Sequence, residues 1–119
     1  MIDDVELIAS AYQAFNARKM DSALETMQPN VDWPNGMEGG RVHGHGGVRE
    51  YWTRQWAMID PLVEPVGFAR EGDGRVAVTV HQTVRDLKGT LLLDQMIEHV
   101  YRIENGLIQS MEIRELAAK

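Results

Sequence analysis

The chain has 119 residues, a formal net charge of −6 and no cysteine. That length suits one domain, read as residues 1–119, which buries about two-thirds of its unfolded surface without disulfide or metal staples. Thiol catalysis and cysteine-held metal centres are excluded, and the acidic balance without any Lys/Arg cluster argues against nucleic acid or anionic membrane as a partner.

Met1-Ile2-Asp3-Asp4 opens acidic where a signal peptide would be basic, and no apolar run reaches the roughly 18 residues of a membrane span, so a cytoplasmic location is expected. Asp3 and Asp4 suit a helix N-terminus. Val5, Ile8, Tyr12 and Phe15 follow at helical spacing, with Arg18 and Lys19 at the carboxyl end. A second helix is predicted from Asp21 or the box Ser22-x-x-Glu25, with Met20, Ala23, Leu24 and Met27 on its apolar side and Pro29 as its stop. Val31-Asp32-Trp33 reads as a short strand closed by Pro34. Glycines 36, 39, 40, 44, 46 and 47 predict a turn-rich loop with an extended piece at 41–43. A third helix then places Val48, Tyr51, Trp52, Trp56 and Ile59 on one stripe, ended by Asp60-Pro61.

Beyond Pro61 the period becomes twofold. Residues 62–70 read as a strand weakened by Pro65 and Gly67, and residues 75–86, 90–104 and 107–116 as a meander punctuated by Gly72-Asp73-Gly74, Lys88-Gly89 and Glu104-Asn105-Gly106. Helices segregated from an antiparallel run of strands predict an α+β domain. Along 90–104, one face carries Leu91, Leu93, Gln95, Ile97, His99, Tyr101 and Ile103, so a histidine and a glutamine stand among positions expected to be buried. By alternation Gln82 shares that inward face, whereas His81 points outward with Thr79, Thr83 and Arg85. Leu92, Met96 and Val100 form a mixed apolar outer face, which predicts a homodimer.

Ala14-Phe15-Asn16-Ala17, Val31-Asp32-Trp33-Pro34, Gly47-Val48-Arg49-Glu50-Tyr51-Trp52 and Tyr101-Arg102-Ile103-Glu104-Asn105-Gly106 resemble, in order and spacing, the SnoaL-like and ketosteroid-isomerase-like branch of the NTF2-like superfamily. The resemblance implies a cone of three N-terminal helices packed on a strongly bent mixed β-sheet enclosing a pocket, and usually a dimer. It implies little about chemistry, because this superfold carries many activities and members with none. Ketosteroid isomerase works with an aspartate base and an oxyanion hole of tyrosine and protonated aspartic acid. An ungapped match puts those three positions on Trp33, Ala11 and His99, so that mechanism does not carry over. Tyr12 stands one residue from the tyrosine position, a rotation of about 100° on a helix.

His99 is therefore the candidate acid/base, since imidazole exchanges protons near neutral pH. A core histidine held by Gln82, Gln95 or a backbone carbonyl is the structural alternative. Trp33, Trp52, Gln82, Gln95, Tyr101 and Met111 are the candidate ligand-binding residues. His43-x-His45 supplies two imidazoles where a catalytic zinc takes three protein ligands, so no metal site is assigned. No phosphate-loop template is present and no cofactor is expected. The sequence reading is a pocket for a small hydrophobic, carbonyl-bearing molecule, acted on by proton transfer, with a non-catalytic binding or scaffold protein as the alternative.

Overall fold

The computed structural model describes residues 3–116; both ends of the expected 1–119 domain, including Met1 and Ile2, lie outside the described residues. Helices α1 (Asp4–Asn16), α2 (Met20–Leu24) and α3 (Gly44–Met58) are combined with strands β1 (Met27–Pro34), β2 (Arg41–His43), β3 (Ile59–Arg70), β4 (Val76–Asp86), β5 (Leu91–Glu104) and β6 (Leu107–Arg114). The strands form one six-stranded sheet in the order β2-β1-β6-β5-β4-β3. Its pairs are antiparallel except β1 with β6, which run parallel. The result is the expected mixed α+β architecture, a curled sheet that does not close on itself.

Curvature comes from register shifts, which bend a strand and increase its twist. They fall between Pro65 and Gly67 in β3, between Val84 and Arg85 in β4, and between Arg102 and Ile103 in β5. Asn105 and Gly106, with φ of 51° and 77°, make a two-residue turn with both central residues in the left-handed region, matching the twist of the hairpin they join.

The helix ends follow from local chemistry. Asp3 caps α1 by accepting the Glu6 N–H at 2.8 Å. At the other end Arg18 adopts φ 61° and donates to the Phe15 carbonyl and to the Pro61 carbonyl, tying the end of α1 to β3. The buried side of α1 is Leu7, Ile8, Ala11, Tyr12 and Ala14, whereas Val5, placed on the apolar stripe by its spacing, is exposed.

Four boundaries depart from the sequence reading. The capping box at Ser22 does not form: α2 is only five residues long, begins after Lys19, and Glu25 already ends it. Asp21 is engaged by Arg49 at 2.6 Å instead. Met27 belongs to β1, and Pro29 interrupts no helix; it sits where the β1–β6 register shifts, a place that tolerates a missing N–H. Helix α3 starts at Gly44, so Gly46 and Gly47 are helical. A Cβ at Gly47 would lie 3.4 Å from the Val42 Cβ, so the first turn of α3 runs close against β2 despite glycine's low helix propensity. Ile59, Asp60 and Pro61 begin β3, paired with Asp86, Arg85 and Val84.

The core lies between the helices and the concave face of the sheet. Val76, Val78 and Val80 of β4, Ile8 of α1, Val31 of β1 and Ile108 of β6 are essentially inaccessible. On β5 the alternation is only half realised. Ile97, His99 and Tyr101 are buried, but Leu91, Leu93 and Gln95 are exposed, because that end of the strand runs past the helical layer. On the opposite face Leu92 and Met96 are exposed as expected, whereas Val100 is buried.

Candidate functional site

Between the helices and the concave sheet lies a cavity of about 380 Å³, within the range of small-molecule sites. Its walls come from seven elements, with Ile59 and Val63 supplied by β3. Tyr12 and Phe15 project from α1, Trp33 from β1, Tyr51, Trp52 and Gln55 from α3, Gln82 from β4, and Gln95, His99 and Tyr101 from β5. Met111 of β6 completes the set of sequence-derived candidates in the wall, and Leu93, Gln95 and Ile113, all exposed, mark the open end. Among the described residues, none of the side chains lining it is Asp, Glu, Lys or Arg.

The wall combines aromatic rings with aliphatic side chains. Trp33 meets Trp52 edge to face with centroids 5.7 Å apart, and Trp33 lies 6.3 Å from Tyr101. Trp52 stacks on Trp56 at 5.7 Å. Trp56 itself does not reach the cavity; it packs under Trp52 with Phe15, and the Arg18 guanidinium covers its outer side at 5.2 Å. Spacing of i and i+4 therefore yields one cavity aromatic and one supporting aromatic.

The polar group of the interior is His99. Its Nδ1 lies 2.7 Å from the Tyr12 hydroxyl, and the two rings are nearly parallel with centroids 5.9 Å apart. Burial lowers the imidazole pKa to about 4, so the ring is neutral at pH 7. Burial first, and the neighbouring Tyr101 second, push the Tyr12 phenol far above its ordinary value. One hydrogen thus lies between two neutral groups. If Tyr12 supplies it, Nε2 carries the other ring proton and donates; if Nδ1 supplies it, Nε2 is an acceptor and a base. Nε2 makes no hydrogen bond to any described residue.

Tyr12 is the His99 partner that the sequence pattern does not single out, since it stands one position from the family's tyrosine. In the fold its hydroxyl, not its backbone position, reaches the histidine, and its place on the buried stripe of α1 beside Ile8 was the available signal. Gln82 and Gln95 pair with each other at 2.9 Å near the open end. Neither bonds to His99, so Tyr12 is the partner of its Nδ1 among the described residues.

The two loop histidines diverge. His43 stands 3.3 Å from Asp32, while His45 contacts the Met27 carbonyl at 2.9 Å. They share no ligand position. His81 faces outward as expected, 2.7 Å from Asp94 across the β4–β5 ladder.

Comparison with known proteins bears on the family and the fold. The SnoaL-like domain model matches residues 8–111. The chain belongs to the SnoaL-like domain family. Among solved structures, it is similar to TerC co-crystallized with polyporic acid: 29% identity over 93% of this chain and 89% of that one, with a TM-score of 0.81. It is likewise similar to an NTF2-like protein of unknown function from Burkholderia pseudomallei, with 27% identity, 97% and 92% coverage and a TM-score of 0.82. A ketosteroid isomerase-like fold from Catenulispora acidiphila, in complex with trimethylamine, shares the fold at 14% identity, 91% and 83% coverage and a TM-score of 0.74. No curated protein matches the sequence. This SnoaL-like chain thus shares the NTF2-like fold, and no helix in its described part is long and apolar enough to cross a membrane.

Proposed function

We propose that the cavity binds a small hydrophobic, carbonyl-bearing molecule and that His99 exchanges a proton with it through Nε2, in an isomerase-, cyclase- or lyase-like reaction that needs no cofactor. The observation that carries this reading is the buried His99–Tyr12 pair, which leaves Nε2 unbonded in a largely apolar cavity. A neutral imidazole in an apolar wall offers its spare nitrogen without first shedding a charge. Tyr12 orients the ring, Tyr101 and Met111 bound it, and Trp33 and Trp52 supply flat surfaces suited to a planar ligand. Gln82 and Gln95 stand near the open end, where they face a ligand's polar edge. TerC, crystallized with polyporic acid, supports a small organic ligand for a pocket on this scaffold.

A non-catalytic binding protein is the second reading, favoured by the absence of carboxylates from the lining. Its pocket would hold the same class of ligand. Native mass spectrometry of the purified protein identifies what occupies the cavity, and His99→Gln then separates the two readings. Under the enzyme reading the variant binds that molecule but turns it over 10²–10⁴-fold more slowly, at about the level general acid–base groups contribute. A wild-type protein that binds the molecule and never transforms it is a binding protein.

A further inference from the structure

Residues 35–40, between β1 and β2, stand at the open end of the cavity. Gly36 and Met37 belong to the wall, and a Cβ at Gly36 would lie 3.3 Å from Cδ1 of Ile113 on the exposed rim. The loop is stitched to itself. The Asn35 N–H donates to the Gly40 carbonyl and the Gly39 N–H to the Asn35 carbonyl, while the Asn35 side chain accepts the Glu38 N–H at 2.7 Å and donates to the Glu38 carboxylate at 2.9 Å. It is built to move as one piece.

Its ties to the helical layer are weak ones. Met37 packs on the core cluster, and its N–H donates to the Tyr51 hydroxyl at 3.3 Å, the long end of such bonds. The closer tie is Arg54 of α3, whose Nε and Nη2 donate to the Glu38 carboxylate at 3.1 and 2.8 Å. Both side chains are exposed, at 46% and 41%, so water and salt compete for them. Beside Glu38, Gly39 and Gly40 take φ of 91° and 77°, and a Cβ at either would meet nothing within 4 Å among the described residues. A segment with so little packing opens at low cost. Hydrogen bonds from Arg54 first, and from Asn35 second, hold the Glu38 pKa at about 2. The pair therefore stays charged at neutral and mildly acidic pH, and salt rather than acid loosens it.

We propose that residues 35–40 are a gate over the cavity mouth, latched to α3 by the Glu38–Arg54 pair, which sets how fast a ligand enters and leaves. Neither latch residue lines the cavity. The latch is thus the same in empty and loaded protein, so weakening it changes entry and exit together and leaves affinity nearly constant. The gate rests on the pocket reading above and can fail separately from it.

Stopped-flow fluorescence with N-phenyl-1-naphthylamine, a neutral aromatic probe that brightens in apolar surroundings, measures both rates. Arg54→Met should raise entry and exit together by about two- to fivefold, the weight of one exposed ion pair on the opening equilibrium, with Kd changed by less than about twofold. Sodium chloride at about 1 M should accelerate wild type more than Arg54→Met. The absence of native cysteine permits the converse experiment. Glu38→Cys with Arg54→Cys, joined by a bis-maleimide, holds the gate shut and should slow both rates about tenfold or more relative to the same protein unjoined. A joined protein that exchanges the probe as fast as the unjoined one overturns the gate and leaves the pocket intact. So does an Arg54→Met variant whose rates match wild type or whose exit alone quickens. Wild-type protein that does not bind the probe overturns the pocket reading itself, and the gate with it.

Discussion

Tyr12 and His99, 87 positions apart in the chain, meet at 2.7 Å with their rings almost parallel. The contact joins the first helix to the fifth strand and sets which imidazole nitrogen faces the cavity.

Tyr12→Phe removes one half of that hydrogen bond while keeping the ring. Nδ1 is then left buried and unpaired, at an expected loss of about 1–3 kcal/mol. The imidazole also loses the partner that selects its tautomer. ¹⁵N chemical shifts of His99 should move from one dominant tautomer toward a mixture, and ligand affinity should fall. An unchanged nitrogen spectrum would show that Tyr12 does not govern the ring.

Acid should weaken the protein through His99. The folded pKa, lowered to about 4 by burial, lies below the value near 6.5 that the unfolded chain would show. The unfolded state therefore binds more protons between these values, so stability is complete above pH 6.5 and is lost as the pH falls toward 4. The loss attributable to this one group is at most about 3 kcal/mol. Thermal melts at pH 7, 5.5 and 4 should show a steeper decline for wild type than for His99→Gln, which has no proton to take up. Parallel declines would mean that other groups dominate the acid transition.

Trp33 is buried in the core cluster and lines the cavity at once. Trp33→Phe retains much of the apolar area but removes an indole N–H that no described residue accepts. Stability should drop by about 1 kcal/mol, as for a modest loss of core volume. Ligand binding should weaken by about 0.5–1.5 kcal/mol if the N–H serves the ligand. A large fall in melting temperature with unchanged affinity would assign Trp33 to the core alone.

The outer sheet face predicts self-association. Leu92 and Met96 are 56% and 44% exposed on a strand flanked by the His81–Asp94 contact. An apolar strip rimmed by polar groups is typical of an interface. Sedimentation at micromolar concentration should report twice the chain mass, and Leu92→Lys should return the protein to monomers. A wild-type monomer would refute the dimer.

Strand alternation was the most legible signal: the meander of β4, β5 and β6 was read within a residue or two, and it put Gln82, Gln95, His99 and Tyr101 on one face. That face does line the cavity. Helix boundaries were less legible where tertiary contacts overrode local propensity. Gly46 and Gly47 read as loop because glycine disfavours helix, yet both belong to α3, and Gly47 packs against Val42 there. Met27 and Pro29 read as the end of a helix, because nothing local reveals a parallel partner 80 residues away in β6. The exposure of Leu91 and Leu93 was hidden for a related reason. Alternation says which way a side chain points, not whether a helix covers it.

The parallel pairing of β1 with β6 has a consequence for how the molecule is made. Met27 lies beside Ile108 and Asp32 beside Ser110, so the strand that carries Trp33 gains its central neighbour only after β6 has been made. Long-range pairings of this kind form late and slowly. On a ribosome, a nascent chain halted before Leu107 would have its helices and the β3–β5 meander, but β1 would lack its parallel neighbour and the cavity its Met111 wall. The cavity is thus completed only once β6 has been made, and a truncation removing β6 should abolish ligand binding even where helical circular dichroism survives.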